Sequence, residues 1–107
     1  MKLVTTATAG TMESNDIMVV VQPAEDGGIR VELTSSVMQQ FGRQNTAVIQ
    51  QTAAECGVEN AFISAVDKGA LDCTVRARVT TALLRAADKV DIPLYTYEPK
   101  EEVRRDV

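Results

Sequence analysis

The chain has 107 residues, of which 45% are apolar and 24% charged, and this specifies one compact folded domain with no room for a second. A net charge of −4 and a pI of about 4.7 exclude nucleic-acid binding through a basic footprint. The complete lack of histidine removes Ser-His-Asp and Cys-His nucleophile pairs, and with them the usual acid–base group near neutral pH. So small a domain has little space for a deep active site, which points to a protein acting through partners rather than a self-sufficient enzyme.

Cys56 and Cys73 form no CxxC pair, and without histidine they make no zinc site, so they read as buried, reduced thiols. No apolar run approaches the ~20 residues of a membrane span. Met1 to Thr6 lacks the apolar centre of a secretory signal, and the expected location is the cytoplasm.

In chain order, Leu3 to Ala9 is rich in Val, Thr and Ala and predicts a first strand. Gly10 relaxes the backbone, and Glu13-Ser14-Asn15-Asp16 is a cluster of turn-forming side chains. Ile17 to Gln22 is a nearly continuous apolar run that suits a covered strand. Pro23 to Gly28 breaks it, and from Ile29 apolar Ile29, Val31 and Leu33 alternate with Arg30 and Glu32. Together these predict a three-stranded antiparallel meander with one solvated face, its last turn a Gly27-Gly28 hairpin.

Ser36 and Gln39 have capping-box spacing, and Val37, Phe41, Val48, Ile49, Thr52 and Cys56 return at helical spacing behind them. Gly42 weakens the first turns of that helix, and Gly57 stands where a left-handed C-terminal residue is wanted. Asn60 to Val66 predicts a fourth strand, Asp67-Lys68-Gly69 a turn, and Asp72 the N-cap of a second helix. That helix buries Val75, Val79, Ala82, Leu83 and Ala86 and leaves Arg76, Thr80 and Arg85 largely outside. Arg76 and Arg78 read as a solvated face, or as contacts to a partner. Pro93 ends the regular part. The expected organisation is a single domain over 1–93 and a C-terminal tail over 94–107, whose Leu94, Tyr95 and Tyr97 cover the domain's own core or dock on a partner. The fold class is α+β: a two-layer sandwich of order β-β-β-α-β-α, with a mainly antiparallel sheet and both helices on one face.

Few groups in this inventory carry chemistry. Glu13 and Asp16 lie close together but in a polar turn, where solvated carboxylates are expected rather than an acid–base pair in a cleft. Gly27-Gly28 lacks the spacing of a phosphate-binding loop, and Lys68-Gly69-Ala70 before the second helix is a weak anion site at which Asp72 competes. Ser14 stands at an exposed corner between two strands, reachable by a modifying enzyme and tolerant of bulk outward. The same Ser-Asn-Asp string also serves an ordinary turn.

Resemblance separates these readings. Ala9-Gly10-Thr11-Met12-Glu13-Ser14-Asn15-Asp16 resembles the prosthetic-group segment of the acyl carrier (gamma) subunit of citrate lyase. Pro23 to Glu32, Ser35 to Gly42, and Val66 to Arg78 are similar to the same family in the same order. The resemblance implies that Ser14, the serine of the Gly-Thr-x-Glu-Ser segment, is esterified to 2'-(5''-phosphoribosyl)-3'-dephospho-CoA, whose thiol carries an acetyl group. It implies a prosthetic-group transferase that loads the arm. It also implies an alpha subunit that exchanges acetyl for citryl with release of acetate, and a beta subunit that cleaves the citryl thioester to oxaloacetate. The carrier itself would perform neither step. Two alternatives stand beside this. One is the related acyl carrier (delta) subunit of malonate decarboxylase, and the other is an unmodified interaction module in which Ser14 is a plain turn residue. The Asp67 to Arg78 segment favours citrate lyase.

Overall fold

Alternation of apolar and polar side chains sets the sheet, and the computed structural model describes residues 1–35 and 38–87 of it, with side chains for all of these except 38–43. The strands are β1 (Ala7–Gly10), β2 (Ile17–Pro23), β3 (Ile29–Ser35) and β4 (Ala61–Asp67). Ile17, Val19 and Val21 of β2 and Ala61, Ile63 and Ala65 of β4 point into the core and are buried. Each large aliphatic side chain so buried contributes about 1.5–3 kcal/mol.

The strands are in spatial order β1-β2-β4-β3. β1 pairs antiparallel with β2, and β2 antiparallel with β4, but β3 runs parallel to β4. The expected meander is therefore corrected: β2 and β3 are not neighbours, because β4 inserts between them. The physical reason lies in the strands themselves. Inward positions of β4 are fully buried and its outward ones half-buried, which suits a central strand, whereas β3 exposes Arg30, Glu32 and Thr34 and suits an edge. Nor is Gly27-Gly28 a two-strand hairpin. It belongs to a connection that passes over the end of β4, where Gly28 N–H donates to Asn60 Oδ1 at 2.9 Å and Ala61 N–H donates to Gly28 O at 3.1 Å.

Parallel neighbours need a crossover, and α1 (Met38–Glu55) supplies it between β3 and β4. It buries Val48, Ile49, Thr52 and Ala53. Its end is a Schellman motif: Gly57, at φ +83°, donates to Ala54 O at 3.0 Å, and Val58 N–H donates to Ala53 O at 3.1 Å. The expected Ser36 cap lies outside the described residues, as does the tail from Leu94, and the Phe41 side chain is among those not described. The second helix, α2 (Asp72–Ala86), buries Val75, Val79, Ala82, Leu83 and Ala86, the stripe its periodicity predicts. α1 lies against β3, α2 against β1 and β2, and the helices meet each other on that same face of the sheet. The molecule is thus the α+β two-layer sandwich with a mostly antiparallel sheet. Among the described residues no helix is long and apolar enough to cross a membrane.

Two local expectations also change. Asp72 is the first helical residue rather than the cap: Leu71 holds the cap position without a side-chain bond, and Asp72 Oδ2 accepts from Gln44 Nε2 at 3.0 Å. The thiols are free but not buried, Cys56 being half-buried and Cys73 exposed.

Candidate functional site

The β1–β2 connection is built by side chains on either side of its apex. β1 ends at Gly10, which has φ +94° and sits where any Cβ would overlap the carbonyl of Ile17 across the ladder. Thr11 then turns inward, its hydroxyl donating to Asp16 Oδ2 at 2.7 Å and accepting from Glu13 N–H at 3.2 Å. Asp16 N–H closes the turn on Glu13 O at 3.2 Å, with Ser14 and Asn15 as its central residues. Asn15 takes φ +67°, a conformation asparagine tolerates better than most residues.

Two backbone bonds tie this turn to the β4–α2 corner. Asn15 N–H donates to Lys68 O at 2.7 Å, and Lys68 N–H donates to Asp16 O at 2.9 Å. With both legs held, the Ser14 side chain is left exposed at the apex, and among the described residues its hydroxyl has no hydrogen-bond partner.

Asp16 corrects the expectation of a solvated turn carboxylate. It is only 9% exposed. Arg78 donates to both its oxygens, Nε to Oδ1 at 3.0 Å and Nη2 to Oδ2 at 2.9 Å, and Ile17 N–H donates to Oδ1 at 2.7 Å. The Arg78 bonds, followed by those from Thr11 and Ile17, hold the carboxyl well below the usual carboxylate range. Arg76 is likewise engaged: Nη1 donates to Glu55 at 3.0 Å and Nη2 to Gln51 at 3.1 Å, pinning α2 to α1. Both arginines thus fasten elements of the chain to one another while their side chains stay 39% and 40% exposed to solvent. Glu13, by contrast, is exposed.

One residue passed over as a turn former proves central. Asp67 is fully buried at the end of β4, where Oδ2 accepts from Ser35 Oγ at 2.8 Å and Asn45 Nδ2 at 2.9 Å, and Oδ1 from Ala70 N–H at 2.9 Å. It joins β3, α1 and the β4–α2 corner with neutral donors. The available signal was its place at the end of an alternating strand, on the inward phase of Ile63 and Ala65.

The profile of the acyl carrier family described as malonate decarboxylase delta subunit (MdcD) matches residues 4–86. The citrate lyase acyl carrier protein 2 of Salmonella typhimurium is 50% identical over 92 residues, covering 86% of this chain and 95% of that one. The citrate lyase acyl carrier protein of Streptococcus mutans is 56% identical over 82 residues, covering 77% and 80%. A chain in the crystal structure of a Pseudomonas malonate decarboxylase hetero-tetramer in complex with malonate superposes with a TM-score of 0.67 at 19% identity, over 78% of this chain and 84% of that one, and so shares the fold. With a matching profile over most of its length and relatives of about half-identical sequence, the chain belongs to the citrate lyase acyl carrier protein family.

Proposed function

We propose that this chain is the covalent carrier of a citrate lyase, with Ser14 as the attachment point of 2'-(5''-phosphoribosyl)-3'-dephospho-CoA. The observation that carries the reading is the Ser14 hydroxyl, exposed and without a hydrogen-bond partner among the described residues, at the apex of a turn whose two legs are fastened to the body. Among the described residues a phosphodiester on this exposed hydroxyl would break no hydrogen bond, so the site fits such a group.

When bound, the group supplies a terminal thiol that holds acetyl or citryl as a thioester. The chain's own residues do the rest by position. Gly10, Thr11 and Asp16 hold the turn at the strand end, Arg78 anchors it to α2, and the Lys68 backbone anchors it to the β4–α2 corner. A fixed root and a long flexible arm replace a bimolecular encounter with an intramolecular one at an effective concentration of about millimolar. The carrier needs no acid–base residue for that task. Its partners in this reading are the alpha (transferase) and beta (lyase) subunits, together with the enzyme that loads Ser14, and the working compartment is the cytoplasm.

The shared fold with a malonate decarboxylase chain and the description of the matching family support a second reading, carriage of malonyl and acetyl groups. Reconstitution separates the two. The loaded chain should restore citrate cleavage to citrate lyase alpha and beta subunits, and Ser14→Ala should not. Restoration only of malonate decarboxylation by the corresponding catalytic subunits overturns the citrate assignment.

A further inference from the structure

β3 forms one edge of the sheet, and its outer side pairs with no strand among the described residues. Protein edges of this kind are usually short, or are blunted by proline, lysine or a bulge. β1, the opposite edge, has four residues. β3 has seven, contains neither proline nor lysine, and keeps unbroken register with β4 from Ile29 to Ser35. Its inward Ile29, Val31 and Leu33 are only half-buried, whereas the inward positions of β2 and β4 are buried.

The backbone fixes which groups this edge offers. Ala61 N–H donates to Gly28 O at 3.1 Å, so the peptide between Gly28 and Ile29 turns its C=O toward β4 and its N–H outward. The sense alternates along an extended strand. Ile29, Val31 and Leu33 therefore present both N–H and C=O at the open side, spaced as an antiparallel neighbour requires.

The side chains select that neighbour. Arg30 and Glu32 are exposed on the sheet face away from the helices, and neither has an ion-pair partner among the described residues. Let a second β3 run antiparallel to the first, with the twofold axis at Val31. Val31 then faces its own copy and Ile29 faces Leu33 of the second chain, each pair exchanging backbone hydrogen bonds. Arg30 faces Glu32 of the second chain on either side of the axis, with Cβ atoms about 4.5–5.5 Å apart. The two neighbouring registers that keep the same backbone groups paired set Arg30 against Arg30 or Glu32 against Glu32, and like charges directly opposite are unfavourable. Charge thus singles out one register, and the occupant it fits is this same strand.

We infer that β3 is a self-pairing edge, which joins the four-stranded sheets of two copies of this chain through an antiparallel seam centred on Val31. The inference is independent of the attachment at Ser14. It does bear on where two arms would stand. Ser35 pairs with Asp67 and Asp67 with Ile17, so β3 runs toward the pole that carries the Ser14 turn. The twofold axis sends the two Ser14 turns to opposite poles, each beside β1 and clear of the seam.

The test is light scattering coupled to size-exclusion chromatography of the full chain, over a series from micromolar to millimolar. Expected is a reversible rise from 11.6 kDa to twice that mass. Glu32→Arg and Arg30→Glu each set like charges opposite one another in the seam and should weaken self-association about tenfold or more. Mixed in equal amounts, the two variants should associate again, because the all-basic edge of one then faces the all-acidic edge of the other. That recovery also shows that both variants are folded. A chain that stays monomeric throughout overturns the proposal, whether its own residues 88–107 or a strand of another protein takes the edge. A dimer that both variants form as tightly as the unsubstituted chain overturns it too, since another face then makes the contact. So does association lost in both variants and not recovered on mixing.

Discussion

The guanidinium of Arg78 grips both carboxylate oxygens of Asp16, at 3.0 and 2.9 Å, and so ties α2 to the turn that presents Ser14. The folded-state pKa of Asp16 is lowered, first by Arg78 and then by Thr11 and the Ile17 N–H. Its contribution to stability is therefore fully present above the unfolded value of about 3.9 and is lost as pH falls below it. Urea midpoints should drop between about pH 4 and pH 2, and Asp16→Asn should flatten that slope. Asp16→Asn and Arg78→Ala should also be non-additive when combined, because each removes the same contact. An unchanged slope in Asp16→Asn would place the acid sensitivity elsewhere.

Gly10→Ala meets both a left-handed backbone and the Ile17 carbonyl of the paired strand. The expected loss is about 3 kcal/mol or more by chemical denaturation. A loss below 1 kcal/mol on the same scale would show that the ladder relaxes there freely.

Asp67→Ala strips the acceptor from Ser35, Asn45 and the Ala70 N–H at once, and should cost about 3 kcal/mol. The control Asp72→Ala removes an exposed contact to Gln44 and should stay within about 0.5 kcal/mol. Equal effects of the two on the unfolding midpoint would contradict the hub assigned to Asp67.

The thiols differ in access, Cys73 being exposed and Cys56 half-buried. Under native conditions a thiol reagent should label Cys73 before Cys56, and labelling should equalise in denaturant. Peptide mapping after brief exposure reads the order directly.

The fold was largely legible because its elements obey short-range rules. The α2 stripe follows from helical spacing alone, and the end of α1 from a glycine placed where a left-handed residue closes a Schellman motif. What escaped is pairing across the chain. Strand alternation says which face is inward but not which strand is the neighbour, so β2 and β3 read as adjacent. The strand–helix–strand order of β3, α1 and β4 did carry the parallel pair, since antiparallel neighbours need no such crossover. At the site, the exposed turn around Ser14 follows from its residue types, whereas the Asp16–Arg78 bond joins residues 62 positions apart and has no local signature. Asp67 reads locally as a turn former, and only the converging donors of β3, α1 and the β4–α2 corner make it a buried hub.

The attachment of the arm at Ser14 is tested most directly by intact mass, measured on the chain produced together with its loading enzyme. The account predicts a gain of one prosthetic group that fragmentation maps to Ser14 and that vanishes in Ser14→Ala, while the variant keeps its folded spectrum. A native chain that stays at its unmodified mass, or a gain that survives in Ser14→Ala, would contradict it.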